Sequence, residues 1–193
     1  MLTKSRFLTL ATWFEGGLVV LAYVAGWIVA IDPLANWKLD PESLFWGLAG
    51  VLPLYALFAL SYRFPAAGLK NIKRFLVDRL GPLLASCRWP ELLYLGLLAG
   101  ISEEILFRGL LQPWFQRDWG WFGGILFSNL IFALVHWVTP LYALLAGLTG
   151  AYLGLSLDFG GKHSLAIPVL IHAIYDFLAF LAVARSYRLG RDG

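Results

Sequence analysis

Apolar residues along this chain gather into about six long runs separated by short polar or basic stretches. The runs cover approximately residues 8–31, 43–62, 91–112, 121–139, 140–157 and 164–184. A helix that crosses a bilayer needs about 20 mostly apolar residues. The pattern therefore predicts an all-α, polytopic membrane helix bundle with about six transmembrane helices. The fourth and fifth runs meet at Thr139-Pro140, which predicts a tight or submerged hairpin there. Trp37, Trp46, Trp89, Trp114, Trp119, Trp121 and Trp137 fall near run ends, as interfacial tryptophans do. The first run follows Lys4 and Arg6 and superficially imitates a signal peptide. It is too long for one and contains Glu15 and Trp27, so it reads as a retained span.

One amphipathic stretch interrupts the runs. Across residues 69–84, Leu69, Ile72, Phe75, Leu76, Leu80 and Leu83 recur at helical spacing, with Lys70, Lys73, Arg74 and Arg79 between them. This predicts a helix lying on the cytoplasmic membrane face, where anionic lipid is a plausible partner. A solvated basic loop is the alternative. Gly96 with Gly100, and Gly150 with Gly154, sit four apart and suit close helix packing.

Composition agrees with lipid as the main solvent. Of 193 residues, 60% are hydrophobic and 14% charged, against about a quarter charged in soluble domains. The mean hydropathy is +0.72. The pI near 9.1 does not signal nucleic acid, because the basic residues lie between apolar runs. Lys4 and Arg6, then Arg63, Lys70, Lys73, Arg74, Arg79 and Arg88, then Arg185, Arg188 and Arg191 occupy one set of loops and ends. The alternate loops hold only Lys38, Arg117 and Lys162. That bias predicts an integral, multi-pass membrane protein with both termini cytoplasmic. The single Cys87 excludes an internal disulfide or a CxxC metal site. Three parts are expected: residues 1–90 with the first spans and the basic helix, a core over 91–184, and a basic tail over 185–193.

Six ionisable residues inside the runs change the picture most. They are Glu103, Glu104, Arg108, His136, His172 and Asp176. Each charge at such a depth costs about 3 kcal/mol or more, so partners are required. Glu104 and Arg108 are four apart and share a helix face, as do His172 and Asp176. Glu103 is rotated by about 100° from Glu104. Glu104 can then pair with Arg108 while Glu103 faces a cavity with the histidines. A carboxylate short of water suits a general base. Histidine there can hold water, shuttle protons or stabilise an oxyanion, and Asp176 can orient His172. A purely structural ion pair remains an equal reading for Glu104 with Arg108. Glu15 is expected to snorkel to the cytoplasmic interface, and Asp158 and His163 to lie solvated in a short outer loop.

Three motifs now stand in order: Glu103-Glu104-Ile-Leu-Phe-Arg108 (EExxxR), Phe132-Ala-Leu-Val-His136 (FxxxH) and His172-Ala-Ile-Tyr-Asp176 (HxxxN/D). On successive hydrophobic helices they resemble the CAAX-protease and bacteriocin-processing (CPBP, or Abi) family of intramembrane proteases, over roughly residues 91–184. The resemblance implies a membrane endopeptidase, with a peptide or protein substrate and a bacterial inner or cell membrane as its setting. It implies that Glu103 activates water, that His136 helps hold it, and that His172 with residue 176 stabilises the oxyanion. Asp176 departs from the family's common asparagine, and an ionised aspartate cannot donate to an oxyanion. The family reading leaves either one divalent metal, zinc on Glu103, His136 and His172, or none. HExxH and GxGD are absent, and Ser128 and Ser156 lack a rhomboid-type context. The non-enzymatic alternative is a membrane scaffold, immunity protein or transporter using the same polar network.

Overall fold

The computed structural model describes residues 3–64 and 66–190, so Arg191 of the basic tail lies outside the described residues. Among them every regular element is a helix. The elements are α1 (Lys4–Val29), α2 (Pro41–Arg63), α3 (Ala67–Arg79), α4 (Gly81–Ala85), α5 (Trp89–Glu104), a π-helical segment (Ile105–Leu111), α6 (Gln112–Val135), α7 (Pro140–Ser156), a short 3-10 turn (Phe159–Gly161) and α8 (Ala166–Leu189). Local chemistry sets several starts. Asp40 Oδ1 accepts from the Ser43 N–H at 2.8 Å to open α2, and Thr139 Oγ1 accepts from the Tyr142 N–H at 3.1 Å to open α7. Pro41 and Pro140 sit in the first turns, where a missing N–H is harmless.

Five helical stretches are long and apolar enough to cross a membrane, one of them the continuous Trp89–Val135. The third and fourth runs were expected as separate spans, and the helix assignment joins them. The joined stretch nevertheless doubles back. Trp119 and Gly120 leave helical geometry, Gly120 with φ +66°, a conformation glycine adopts freely. Around that point Phe115 meets Phe127 at 5.7 Å, Arg108 bonds Asn129 and Phe107 meets Phe132 at 4.9 Å. Pairs whose numbers straddle residue 119 so evenly define an antiparallel hairpin. The surface of the bundle is apolar, with Trp13, Phe14, Trp27, Leu52 and Phe122 all exposed.

The two ends of the bundle differ in charge. At one end Lys4 pairs with Glu91 at 2.8 Å, and Arg188 donates to the Ala85 carbonyl at 2.8 Å. At the other, Lys162 pairs with Glu42 and Asp40, Lys38 donates to the Lys162 carbonyl, and His163 pairs with Asp158 at 2.6 Å in an exposed loop. The amphipathic stretch divides in two, because Pro82 opens a separate short helix after Leu80. Its apolar face (Leu69, Ile72, Leu76, Leu80) turns inward towards a cavity, while Lys70, Arg74 and Arg79 stay exposed.

α5 packs closely against α8. A Cβ at Gly96 would strike the Ala173 carbonyl and the Phe177 nitrogen, and one at Gly100 would strike the Ala173 backbone. The missing side chains therefore bring Glu103 and Glu104 of one helix against His172 of the other.

Candidate active site

The paired glutamates diverge as their rotation predicts, but they recruit different histidines. Glu104 is fully buried. Its Oε1 accepts from Arg108 Nη1 at 2.9 Å and from His172 Nδ1 at 2.7 Å. Arg108, also buried, continues the network: Nη2 donates to Asn129 Oδ1 at 3.1 Å and to the Gly150 carbonyl at 2.6 Å. One turn on, Gln112 Nε2 donates to the Gly154 carbonyl at 3.3 Å. Gly150 and Gly154 are the second glycine pair of the sequence. Their bare faces let Arg108, Asn129 and Gln112 reach α7. The π segment begins directly after Glu104 and carries Arg108; such segments often occur at functional sites.

Glu103 turns the other way. Its Oε2 is buried without a hydrogen-bond partner and lies 3.8 Å from His136 Nε2. His136 caps the end of α6. Its Nδ1 is 2.9 Å from the Phe132 carbonyl, which can only accept, so Nδ1 carries a proton. In the neutral ring Nε2 then presents a lone pair. Phe132 forms the shared wall, stacked on His136 at 4.3 Å, edge-on to His172 at 6.3 Å and under the Arg108 guanidinium at 4.9 Å.

The expectation that Asp176 orients His172 meets a different arrangement. Glu104 makes the short bond to that ring, and Asp176 Oδ2 stands 3.6 Å from its Nε2, beyond hydrogen-bond range. His172 is thus joined to the Glu104–Arg108 pair, while Glu103 and His136 face each other. Among the described residues no group of three or more His, Cys, Asp or Glu side chains is disposed to hold a metal ion. Of the two His172 ring nitrogens, Nδ1 is committed to Glu104, and Nε2 faces Asp176 without a hydrogen bond.

Glu15 was expected to reach for the interface. It instead points inward and accepts from Ser102 Oγ at 2.5 Å, beside Glu103 in sequence and within electrostatic reach of His172. An ionisable residue well inside a run was the available signal. Asn129 and Gln112 were not foreseen, and a single amide within an apolar run gives little signal.

His136, His172 and Asp176 line a cavity of about 230 Å³ together with Leu54, Leu57, Leu145 and residues of α3. The tight or submerged hairpin expected at Thr139-Pro140 is present as the short turn between α6 and α7. Glu103 lies halfway between Trp89 and Asp118, while the limb from Trp121 to Val135 is only about 22 Å long at 1.5 Å per residue. That is shorter than the roughly 30 Å hydrocarbon core. Leu141, just past this turn, packs against Gly68 at the start of α3.

A carboxylate and a histidine thus face each other at 3.8 Å beside a buried ionic network of Glu104, Arg108 and His172. Residues 85–178, which hold all three motifs, match the family described as Type II CAAX prenyl endopeptidase Rce1-like, a protease family. No curated protein and no solved structure matches the chain.

Proposed function

We propose that this chain is an intramembrane endopeptidase in which Glu103 and His136 hold and activate the attacking water. One observation carries the reading: two lone-pair atoms, Glu103 Oε2 and His136 Nε2, face each other across 3.8 Å, and the carboxylate oxygen has no hydrogen-bond partner. A water molecule near both donates one hydrogen to each and turns an oxygen lone pair to the cavity. Glu103 takes a proton as that oxygen attacks the scissile carbonyl. The carbonyl π pair moves onto oxygen, and the His172 Nε2–H, with the ring fixed through Nδ1 by Glu104, stabilises it. Collapse re-forms the carbonyl, breaks the C–N bond and returns the proton from Glu103 to the leaving amine.

The substrate is a membrane-associated peptide or protein that enters from the basic end of the bundle, near α3. By the bias of Lys and Arg that end, with both termini, is cytoplasmic, and α3 rests there on anionic lipid. The family's printed description suggests a lipid-modified CAAX-type peptide, and the leucine-lined cavity beside His136 and His172 is compatible with an apolar group. The test uses purified protein in liposomes with a quenched, farnesylated CAAX peptide, and in parallel with a membrane extract whose new protein termini are mapped by mass spectrometry. Wild type is expected to generate cleavage that Glu103→Ala abolishes while keeping its fold. Cleavage by purified Glu103→Ala at the wild-type rate, or no wild-type cleavage in either arm, overturns the reading. Termini from the extract without turnover of the farnesylated peptide would reject the CAAX substrate alone.

A further inference from the structure

We propose that the Tyr142 hydroxyl is a catalytic hydrogen-bond donor of this site, stabilising the oxyanion together with His172. The inference rests on the peptidase reading above and adds a residue outside all three motifs. Tyr142 stands in the first turn of α7, held there by the Thr139 cap. Its side chain lines the cavity with His136, His172 and Asp176. Among the described residues the Tyr142 hydroxyl makes no hydrogen bond. A phenol O–H lining a cavity is available to an acceptor that enters it, and tyrosines in such places ordinarily find one. Here the ready acceptor is a group that arrives in the cavity.

The position of Tyr142 selects it over its neighbour. It lines the same cavity as His136, His172 and Asp176 and is within electrostatic reach of both Glu103 and Asp176. A scissile carbonyl attacked by water on Glu103 would present its oxygen to that cavity. Tyr175 also lines the cavity, but its electrostatic partners are Asp176 and Tyr142, and its ring packs edge-on to Phe58 at 5.9 Å. Asp176, when ionised, only accepts hydrogen bonds. The tyrosine O–H therefore supplies the second donor that a developing oxyanion requires. No proton is transferred in this step. The O–H bond of Tyr142 stays intact while the carbonyl π pair moves onto oxygen, and the hydrogen bond weakens again as the C–N bond breaks.

The test compares wild type, Tyr142→Phe, Tyr175→Phe and Glu103→Ala, each as the full chain in liposomes. The probe is the same membrane extract, read as the initial rate at which new protein termini appear. Thermal unfolding within a few degrees of wild type establishes that each variant is folded, which the isosteric phenylalanine makes the expected result. Removing one oxyanion donor is expected to slow cleavage on the order of 100-fold, with Tyr175→Phe within about threefold of wild type on the same scale. Tyr142→Phe at the wild-type rate while Glu103→Ala is dead overturns the tyrosine proposal and leaves the peptidase reading intact. A loss on Tyr175→Phe in place of Tyr142→Phe also overturns it. Cleavage by Glu103→Ala removes the peptidase reading, and the tyrosine role with it.

Discussion

Adjacent glutamates in one motif should respond to truncation in opposite ways. Glu104→Ala removes the acceptor shared by Arg108 Nη1 and His172 Nδ1, at 2.9 and 2.7 Å. Arg108 keeps Asn129 and Gly150 but loses its counter-charge in a fully buried position. Breaking a buried pair from one side costs about 3–5 kcal/mol. Glu103→Ala removes only the 3.8 Å contact with His136 and an oxygen without a hydrogen bond. Its cost should stay below about 1 kcal/mol, because no bonded partner is orphaned. For a chain of this size each kcal/mol moves Tm by about 2–4 °C, so Glu104→Ala should melt about 6–20 °C below wild type and Glu103→Ala within about 4 °C. Purified variants in one detergent, followed by thermal unfolding, measure both. Equal destabilisation of the two, or Glu104→Ala within about 1 kcal/mol of wild type, would refute the assignment of Glu104 to the framework and Glu103 to the chemistry.

Other consequences are as specific. Because the proposed mechanism has Glu103 and His136 hold the water themselves, a strong chelator should leave the cleavage rate within about twofold of untreated protein; a loss restored by added zinc counts against this. Glu15→Leu and Ser102→Ala should each lower kcat with little change in KM, and the double variant should be no worse than either, as expected for one shared bond; Glu15→Gln should restore the rate, and additive losses would reject the coupling. Gly100→Leu should disrupt the bundle because its side chain would meet the Ala173 backbone, whereas Gly17→Ala, which faces open space, should be neutral or stabilising by up to about 1 kcal/mol; both are read from yield and Tm.

Much of this arrangement was legible along the chain, and what was hidden follows a rule. Runs of apolar residues mark helices because lipid forces the backbone to satisfy itself. The i,i+4 spacing foretold Glu104 with Arg108 because one helix face is a local property. What spacing cannot give is which residue of another helix meets that face. Glu104 was paired with Arg108 alone, yet it also holds His172, sixty-eight residues away. Glu15 was assigned to the interface because snorkelling is a property of one helix, while its contact with Ser102 depends on how α1 packs on α5. The extension of α5 through the π segment to Asp118 escaped the hydropathy pattern because Gln112, Gln116, Arg117 and Asp118 look like a loop when counted by polarity.

The polar atoms left without partners separate framework from chemistry more finely than the motifs do. Among the described residues four buried side-chain atoms have none: Glu103 Oε2, Glu104 Oε2, Arg108 Nε and Gln112 Oε1. The last three belong to residues whose other polar atoms are bonded within the helical framework. They need at most an ordered internal water, which buried polar groups commonly recruit. Glu103 differs. No side-chain hydrogen bond holds it, and the nearest partner is a histidine that stands outside bonding distance at the edge of a cavity. In lipid a charged group in that position is costly unless something arrives to meet it. The short α6–α7 hairpin supplies that neighbour, since its turn sets His136 Nε2 3.8 Å from Glu103 Oε2. A longer limb would carry His136 further along the bundle and separate it from Glu103. On the proposed reading, this short limb is what holds the carboxylate and the histidine at one level, beside the cavity that α3 lines.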